Sequence, residues 1–245
     1  MTRRDSDWRL EVHAELGSTS DRLAMLAAEG APSGLAVLAL RQTAGRGSRG
    51  RGWQSPLGNL SLSVLLRPQD DVAAAGRWSL LAAVALAETA ASLLADPAAI
   101  SVKWPNDVLL RGRKLAGILI DTALSPEGGL RWLILGMGVN LVVAPEVPGR
   151  VTAALAEEGI APPTPEAFAR ALLARLAYWD SLPVAALHAA WLARAHPVGT
   201  PLAVTFGERR VEGRFAGLSP EGHLLLDTAA GRRTLATGEV LLSPT

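Results

Sequence analysis

The sequence predicts an α+β protein in two parts, a larger unit of strands and helices over residues 1–197 and a small all-β barrel over 198–245. Three observations carry this. Up to about residue 195, short apolar runs bounded by Gly, Pro and Asn alternate with Ala/Leu-rich helical stretches. Beyond Pro197 only short alternating runs remain, broken at Gly207, Ser219-Pro220-Glu221-Gly222 and Ala230-Gly231. With 49% hydrophobic and 19% charged residues, 245 residues can bury a large core.

The elements follow in order. Thr19 or Ser20 caps a short helix that ends near Glu29, with Gly30 as its stop. GLAVLAL (34–40) reads as a strand, 41–52 as an Arg/Gly loop, and LSLSVLL (60–66) as a second strand. Residues 72–95 read as a helix. ISVKW (100–104), DVLL (107–110) and KLAGILIDTAL (114–124) are strands joined by turns at Pro105-Asn106 and Arg111-Gly112-Arg113, and RWLILGMGVNLVV (131–143) is another. Thr164-Pro165-Glu166 starts a helix running to about 180, and a further helix spans about 183–195. The C-terminal strands are LAVTF (202–206), RVEGRFAGL (210–218), HLLLD (223–227) and RTLAT-EVLL (233–242).

Composition excludes several chemistries. The chain has no cysteine, so disulfides, thiolate metal sites and thiol nucleophiles are out. Its four histidines are scattered and form no H-x-x-x-H pair, and no residue is assigned to a protein-held metal. A net charge of +1 is too balanced for a surface that tracks nucleic acid. The N-terminus lacks an apolar signal core, so a cytoplasmic protein is expected. The stretch Trp78–Leu94 carries Glu88 and is flanked by Arg77 and Asp96, which suits a buried helix and not a membrane span. Of 24 basic residues only Lys103 and Lys114 are lysines. A chain that uses Arg elsewhere keeps Lys where a compact, mobile ammonium is needed.

Two constellations stand out. RQTAGRGSRGRGW (41–53) holds Arg41, Arg46, Arg49 and Arg51 without an acid, and glycines at 45, 47, 50 and 52. Such a loop can wrap a polyphosphate with backbone amides and guanidinium groups. Gly45-x-Gly47-x-x-Gly50 formally matches a dinucleotide fingerprint, and Gly45-x4-Gly50-Arg51 a damaged phosphate loop, but neither opens a helix here. A nucleic-acid grip with Trp53 and a plain solvated loop remain as alternatives. In the second constellation, Lys103-Trp104-Pro105-Asn106-Asp107 turns back toward Lys114, so Lys103, Asp107 and Lys114 can cluster. Gly117 lies three residues on, and Gly136, Gly138 and Asn140 share one strand face. This reads either as a smooth trough or as tight sheet packing around a bulge.

Together these pieces resemble the biotin protein ligases. The family loop GRGRxGRxW is similar to Gly45-Arg46-Gly47-Ser48-Arg49-Gly50-Arg51-Gly52-Trp53. The family's KWPND and RKLAGIL match Lys103–Asp107 and Arg113–Leu119, its GxGxN matches Gly136–Asn140, and its STN resembles Ser18-Thr19-Ser20. The order and spacing hold from about residue 15 to 141. The resemblance implies a mixed sheet backed by helices, related to class II aminoacyl-tRNA synthetases, with an SH3-like C-terminal barrel. Only about 15 residues precede the first motif, so the resemblance implies a form without the DNA-binding domain of some members and without specific DNA binding.

The implied reaction has two steps: ATP, with Mg2+, converts biotin to biotinyl-5'-AMP, and the biotinyl group then passes to a lysine of a biotin carboxyl carrier protein. By resemblance Lys114, Arg46, Lys103 and Asp107 are catalytic. Ser18, Thr19, Ser20, Gln42, Gly45, Arg46, Gly47, Ser48, Lys114, Gly117, Leu119 and Gly138 bind biotin. Arg46, Arg49, Arg51, Trp53, Lys103, Asn106, Asp107 and Asn140 bind ATP or the adenylate. Trp53 and Trp132 are candidates to pack on adenine. Relatives often form homodimers. Four like charges on a Gly-rich loop predict a segment that is loose until ligand closes it. Ser48 stands where the family loop usually has Arg, a residue that helps retain the adenylate. Either the intermediate leaks, or Arg49 or Arg51 takes over.

Overall fold

The computed structural model describes residues 8–68, 75–126 and 129–242. Seven strands form one mixed sheet in the order β1-β2-β3-β7-β6-β5-β4. β1 (Arg9–Leu16) and β2 (Leu35–Gln42) run parallel, and the other neighbours are antiparallel: β3 (Leu60–Leu66), β7 (Leu130–Val139), β6 (Arg113–Leu124), β5 (Asp107–Leu110) and β4 (Ile100–Lys103). β1 is absent from the sequence reading, although Leu10, Val12, Ala14 and Leu16 alternate with Glu11, His13 and Glu15. Its polar face and edge position hide it among turn-like residues.

The two faces of the sheet are covered unequally. On one face lie α2 (Ala75–Ala91), α3 (Pro165–Asp180) and α4 (Val184–Leu192). Leu60, Leu62 and Val64 of β3 pack there with Leu81, Val84, Phe168 and Leu172. α2 is buried on nearly every side because it lies between the sheet and α3, which explains its Ala/Leu content. It stops at Ala91 instead of 95, in a turn closed by Leu93 N to Ala90 O and Leu94 N to Ala91 O. The predicted start at 72 falls outside the described residues. On the opposite face, among the described residues, only α1 (Thr19–Ala28) packs, with Leu23 and Ala27 against Val37, Leu65 and Ile134. The α1 cap is Ser18, whose side chain accepts from Asp21 N, so Thr19 and Ser20 sit inside the first turn.

β7 ends at Val139, four residues before its predicted end, because Asn140 N turns away to Leu115 O. The C-terminal part is a five-stranded antiparallel sheet of β8 (Pro201–Phe206), β9 (Arg209–Leu218), β10 (Leu224–Thr228), β11 (Gly231–Leu235) and β12 (Glu239–Leu242), in the order β11-β10-β9-β8-β12. The run 233–242, read as one strand, is therefore two strands on opposite edges. The two sheets share a core. Trp104 donates its indole N–H to Gly222 O at 3.3 Å, and Trp191 meets Phe215 edge-on at 6.4 Å. Among the described residues no helix is long and apolar enough to cross a membrane.

Candidate active site

The site opens on the α1 face, where that helix ends and leaves the sheet uncovered. Cross-strand register places Ser61, Gly138, Gly117, Asp107 and Lys103 in one lateral row across β3, β7, β6, β5 and β4. The next row on the same face runs Ser63, Gly136 and Leu119. Lys114 joins them through a bulge. Three residues from Gly117, it would point to the opposite face by strict alternation, but the register of β5 and β6 shifts at Val108/Leu109. Leu115 takes up the extra position, and Lys114 turns toward the site.

Hydroxyls line one end of this face. Thr19 donates its backbone N–H and its Oγ1–H to Gln42 Oε1 at 2.8 and 3.1 Å, and Gln42 Nε2 donates to Ser55 Oγ at 3.1 Å. Ser61 donates to the same Ser55 Oγ at 2.9 Å. Ser63 Oγ lies 2.7 Å from Thr19 Oγ1 and 2.9 Å from Ser20 Oγ. The network is neutral and orients both donors and acceptors toward the cleft. A Cβ on Gly136 would lie 2.7 Å from Ser20 Oγ. The Gly117–Gly138 trough is occupied by the Trp53 ring, since a Cβ on Gly138 would lie 2.3 Å from Trp53 Cε2. The glycines thus make room for an indole that forms one wall of the cleft, and both also line the cavity beside it.

At the other end sits a charged triad. Lys114 Nζ donates to Asp107 Oδ1 at 2.5 Å, and Lys103 Nζ lies 3.3 Å from Asp107 Oδ2. Burial would raise the Asp107 carboxyl, but the two ammonium groups outweigh it and hold the pKa below the ordinary 3.8. Burial pushes the Lys114 ammonium below its ordinary 10.5, aided by Arg150 and Lys103 and opposed by Asp107. Lys114 also lies 5.8 Å from the centre of the Trp53 ring.

The Arg/Gly loop folds over this row and is held by acids from three other elements. Arg46 pairs with Asp21 at 2.9 Å and with Asp121 at 2.5 Å. Arg49 reaches Glu239 of β12 at 2.9 Å and Thr205 O at 3.2 Å. Arg51 lies 3.5 Å from Glu239 and donates to Ser48 Oγ at 3.2 Å. The like-charge repulsion that predicts a loose loop is answered by these carboxylates. Arg46 and Gly52 form an antiparallel bridge, and Gly47 N donates to Arg51 O at 2.7 Å. That amide is therefore committed to the loop itself instead of aimed at an anion. Gly45 is required because a Cβ there would lie 2.4 Å from Trp53 O.

Residues 16–140 match the Biotin/lipoate A/B protein ligase family, and residues 199–243 match the Biotin protein ligase C terminal domain. A biotin--[acetyl-CoA-carboxylase] ligase of Paracoccus denitrificans is 40% identical over 83% of this chain and 88% of its own length. The chain belongs to the biotin protein ligase family. A Mycobacterium tuberculosis biotin--[acetyl-CoA-carboxylase] ligase is 37% identical over 96% of this chain and 90% of its own. The biotin protein ligase of Aquifex aeolicus, solved in complex with biotin and ATP, superposes with a TM-score of 0.79 at 27% identity. That match covers 97% of this chain and 99% of the other.

In this ligase most of the residues singled out in sequence fall around two adjoining cavities. One is lined by Ser18, Thr19, Ser20, Gln42, Gly117, Leu119 and Gly138, the other by Arg51, Gly52, Asn140 and Arg150, and Gly47, Ser48, Trp53 and Lys114 line both. Two amides do structural work in the site's walls. Asn106 Nδ2 donates to Ile118 O at 2.7 Å, and Asn140 Nδ2 to Ala153 O at 3.1 Å. Trp132, the other candidate to pack on adenine, packs with the Leu23 and Ala27 cluster beneath α1 and lines neither cavity. Sequence reasoning missed Ser55, Ser61, Ser63, Asp121, Arg150 and Glu239. The two strand serines had a signal: they interrupt a fully buried strand at every second position.

Proposed function

We propose that this ligase activates biotin with ATP and transfers the biotinyl group to a lysine of a biotin carboxyl carrier protein. One observation carries the reading: a largely hydroxyl-lined cavity, edged by the Arg46 guanidinium, and a second cavity under the Arg/Gly loop meet at a single half-buried ammonium, Lys114. A ligand with a polar amide-like head and an acidic tail suits the first, and a nucleotide the second.

The ureido head of biotin has two N–H donors and one carbonyl acceptor, which the Thr19, Ser20, Gln42 and Ser63 network can match. The biotin carboxylate then lies toward Lys114. A carboxylate oxygen attacks the α-phosphorus of ATP, the bond to the β-phosphate oxygen breaks, and pyrophosphate leaves. Lys114 follows the charge that builds on carboxylate and phosphate oxygens, with Arg46 and Lys103 as further cations. Asp107, held ionised, orients both lysines and does not serve as a proton acceptor at neutral pH. In the second step a carrier lysine attacks the acyl carbon of the mixed anhydride and AMP leaves. Among the described residues no group of three His, Asp or Glu is placed to hold a metal. The residues thus do not fit a resident ion, and Mg2+ enters as part of the Mg·ATP substrate, ligated by phosphates and water.

The finer organisation is part of the same proposal. Residues 1–197 form the catalytic unit and 198–245 an SH3-like barrel. The enzyme works in the cytoplasm, as a homodimer through its sheet, without specific DNA binding. The exposed β1 edge, where Val12 is 42% accessible, and the net charge of +1 support the last two points.

The test is ATP–pyrophosphate exchange in the presence of biotin, lipoate or octanoate. Exchange is expected with biotin alone. Exchange driven by lipoate or octanoate, or exchange that needs none of the three, defeats the reading.

A further inference from the structure

The second cavity, read above as the nucleotide site, has one wall that is neither strand nor helix. Asn140, Pro145, Val147, Arg150 and Thr152 line it from the segment that follows β7. Both feet of this segment are fixed. Asn140 N donates to Leu115 O at 2.9 Å and Leu155 N to Asn140 O at 3.1 Å. Lys114 N donates to Val151 O and Ala153 N to Lys114 O, both at 2.9 Å. Between the feet the chain loops outward. Thr152 Oγ1 donates across it to Pro145 O at 2.8 Å, and Arg150 N to Val147 O at 3.0 Å.

Val142 and Val143 open this loop. They are 46% and 43% accessible, so little apolar burial holds the chain at that point. The anchor there is Asn59, 2% accessible, in the turn before β3. Its Oδ1 accepts from Val142 N at 2.9 Å and from Val143 N at 3.1 Å, and its Nδ2 donates to Val143 O at 2.7 Å. One side-chain amide thus does for this stretch what a neighbouring strand would do, as acceptor for two successive N–H groups and donor to a carbonyl. The turn is built to bring it there. Asn59 N donates to Pro56 O at 3.2 Å. Gly58, in the left-handed region at φ 89°, lets the turn close on Val142, where a Cβ would lie 3.0 Å from Cγ2.

Asn59 itself lines neither cavity. Among the described residues it makes no bond to the hydroxyl network, although Ser61 of that network lies two positions further along the chain. We propose that Asn59 is a positioning residue for adenylation: its side chain fixes where residues 142–147 rise from the sheet, and so sets the fit of the nucleotide half of the substrate and of the acyl-adenylate without touching either. Without the amide, Val142 N, Val143 N and Val143 O lose their partner, and Pro145 and Val147 are held only by the two cross-links and the far foot. The wall then shifts or loosens while the hydroxyl end keeps all its own bonds. A residue that merely supported β3 would act differently, because β3 carries Ser61 and Ser63 and both cavities would suffer.

The inference rests on the ATP-dependent reading above, and the experiment separates the two. If the wild type shows no biotin-dependent ATP–pyrophosphate exchange, the functional reading fails. With exchange intact, two variants of the full chain are compared. Asn59→Asp has the same size and keeps an acceptor, but turns a second acceptor on Val143 O. Asn59→Ser is too short to reach both valines. Each is expected to raise the ATP KM about tenfold and to release biotinyl-adenylate about tenfold faster, the loss of one or two buried hydrogen bonds. kcat should change less than about threefold, and the Kd for biotin alone, by calorimetry, less than about twofold. Hydrogen–deuterium exchange supplies a readout independent of activity: amides of 142–147 should lose protection while those of 60–66 keep it. The inference is overturned if a folded variant leaves ATP KM and adenylate release unchanged, or weakens biotin as much as ATP. It is also overturned if protection is lost equally in 60–66, or if neither variant folds, since Asn59 would then be a general support of the sheet.

Discussion

The two ends of the site are built on opposite electrostatic plans. The hydroxyl end, around Thr19, Gln42, Ser55 and Ser63, is neutral, and its polar groups are already bonded to one another. The charged end is a set of cations, each held by a carboxylate from elsewhere: Arg46 by Asp21 and Asp121, Arg49 and Arg150 by Glu239, Lys103 and Lys114 by Asp107. A neutral network can receive a polar head with little rearrangement, and salt leaves it alone. A cation cluster with internal counter-charges must exchange partners, which makes it slower to organise and sensitive to ionic strength. The first end is built for recognition, the second for turnover.

The largest expected effect tests the charged end. Lys114→Arg should lower the adenylation rate about a hundredfold or more, the loss of a transition-state contact of ~3 kcal/mol, because a planar guanidinium cannot occupy the bulge beside Asp107 in the same way. Single-turnover adenylation measures this, and a rate within threefold of wild type breaks the comparison. The same measurement against pH has a defined sign. The Lys114 pKa lies below 10.5, so the ammonium is lost as pH rises through that lowered value. Adenylation should therefore decline earlier on the alkaline side than an exposed lysine would allow. The alkaline limb should vanish in the Arg variant.

Next comes the wall between the two ends. Gly138→Ala puts a methyl into the Trp53 ring, and overpacking of ~1–3 kcal/mol predicts a rise of roughly ten- to a hundredfold in the biotin KM. Steady-state kinetics at saturating ATP reads this, and an unchanged KM would show that Trp53 is free to leave. A smaller effect is expected in the neutral network. Ser63→Ala leaves Thr19 and Ser20 short of one partner and should raise the biotin KM about five- to tenfold, with ATP KM and salt dependence unmoved. A salt-dependent defect in this variant would erase the distinction drawn between the ends.

The smallest effect concerns Ser48. Arg51 donates to Ser48 Oγ and lines the same cavity, so a guanidinium stands beside the serine that replaces the usual Arg of the family loop. Labelling of a lysine-rich bystander protein that is not a carrier should be low, and should change less than about threefold in Ser48→Arg. Strong wild-type labelling that falls in Ser48→Arg would show that the adenylate leaks. Self-labelling is a poor readout, because both lysines of the chain lie in the site.

Much of this was legible in the chain, for physical reasons that differ by residue. Lys103, Asp107 and Lys114 could be brought together from spacing alone, because a tight hairpin leaves little freedom. The site glycines could be found but not interpreted. That Gly138 accommodates Trp53 depends on a loop folding back from 85 residues earlier. Arg150 and Glu239 carry no local signal, since each is one charged residue in a turn or edge strand. Their meaning comes only from meeting the Arg/Gly loop across the two sheets. β1 was lost because an amphipathic edge strand beginning with Arg and punctuated by Glu resembles a solvated tail.

The lateral row Ser61, Gly138, Gly117, Asp107 and Lys103 draws one residue from each of five strands whose spatial order differs from their chain order. A slip of one residue between β3 and β7 would turn the serines into the helical core and leucines into the cleft. The chemistry therefore exists only when residues about 75 positions apart have found their single correct pairing. During refolding, biotin binding should emerge with the last native sheet contacts and not with helix formation. The cleft is in this sense a proofreader of its own sheet, since no partly assembled form of the domain presents it.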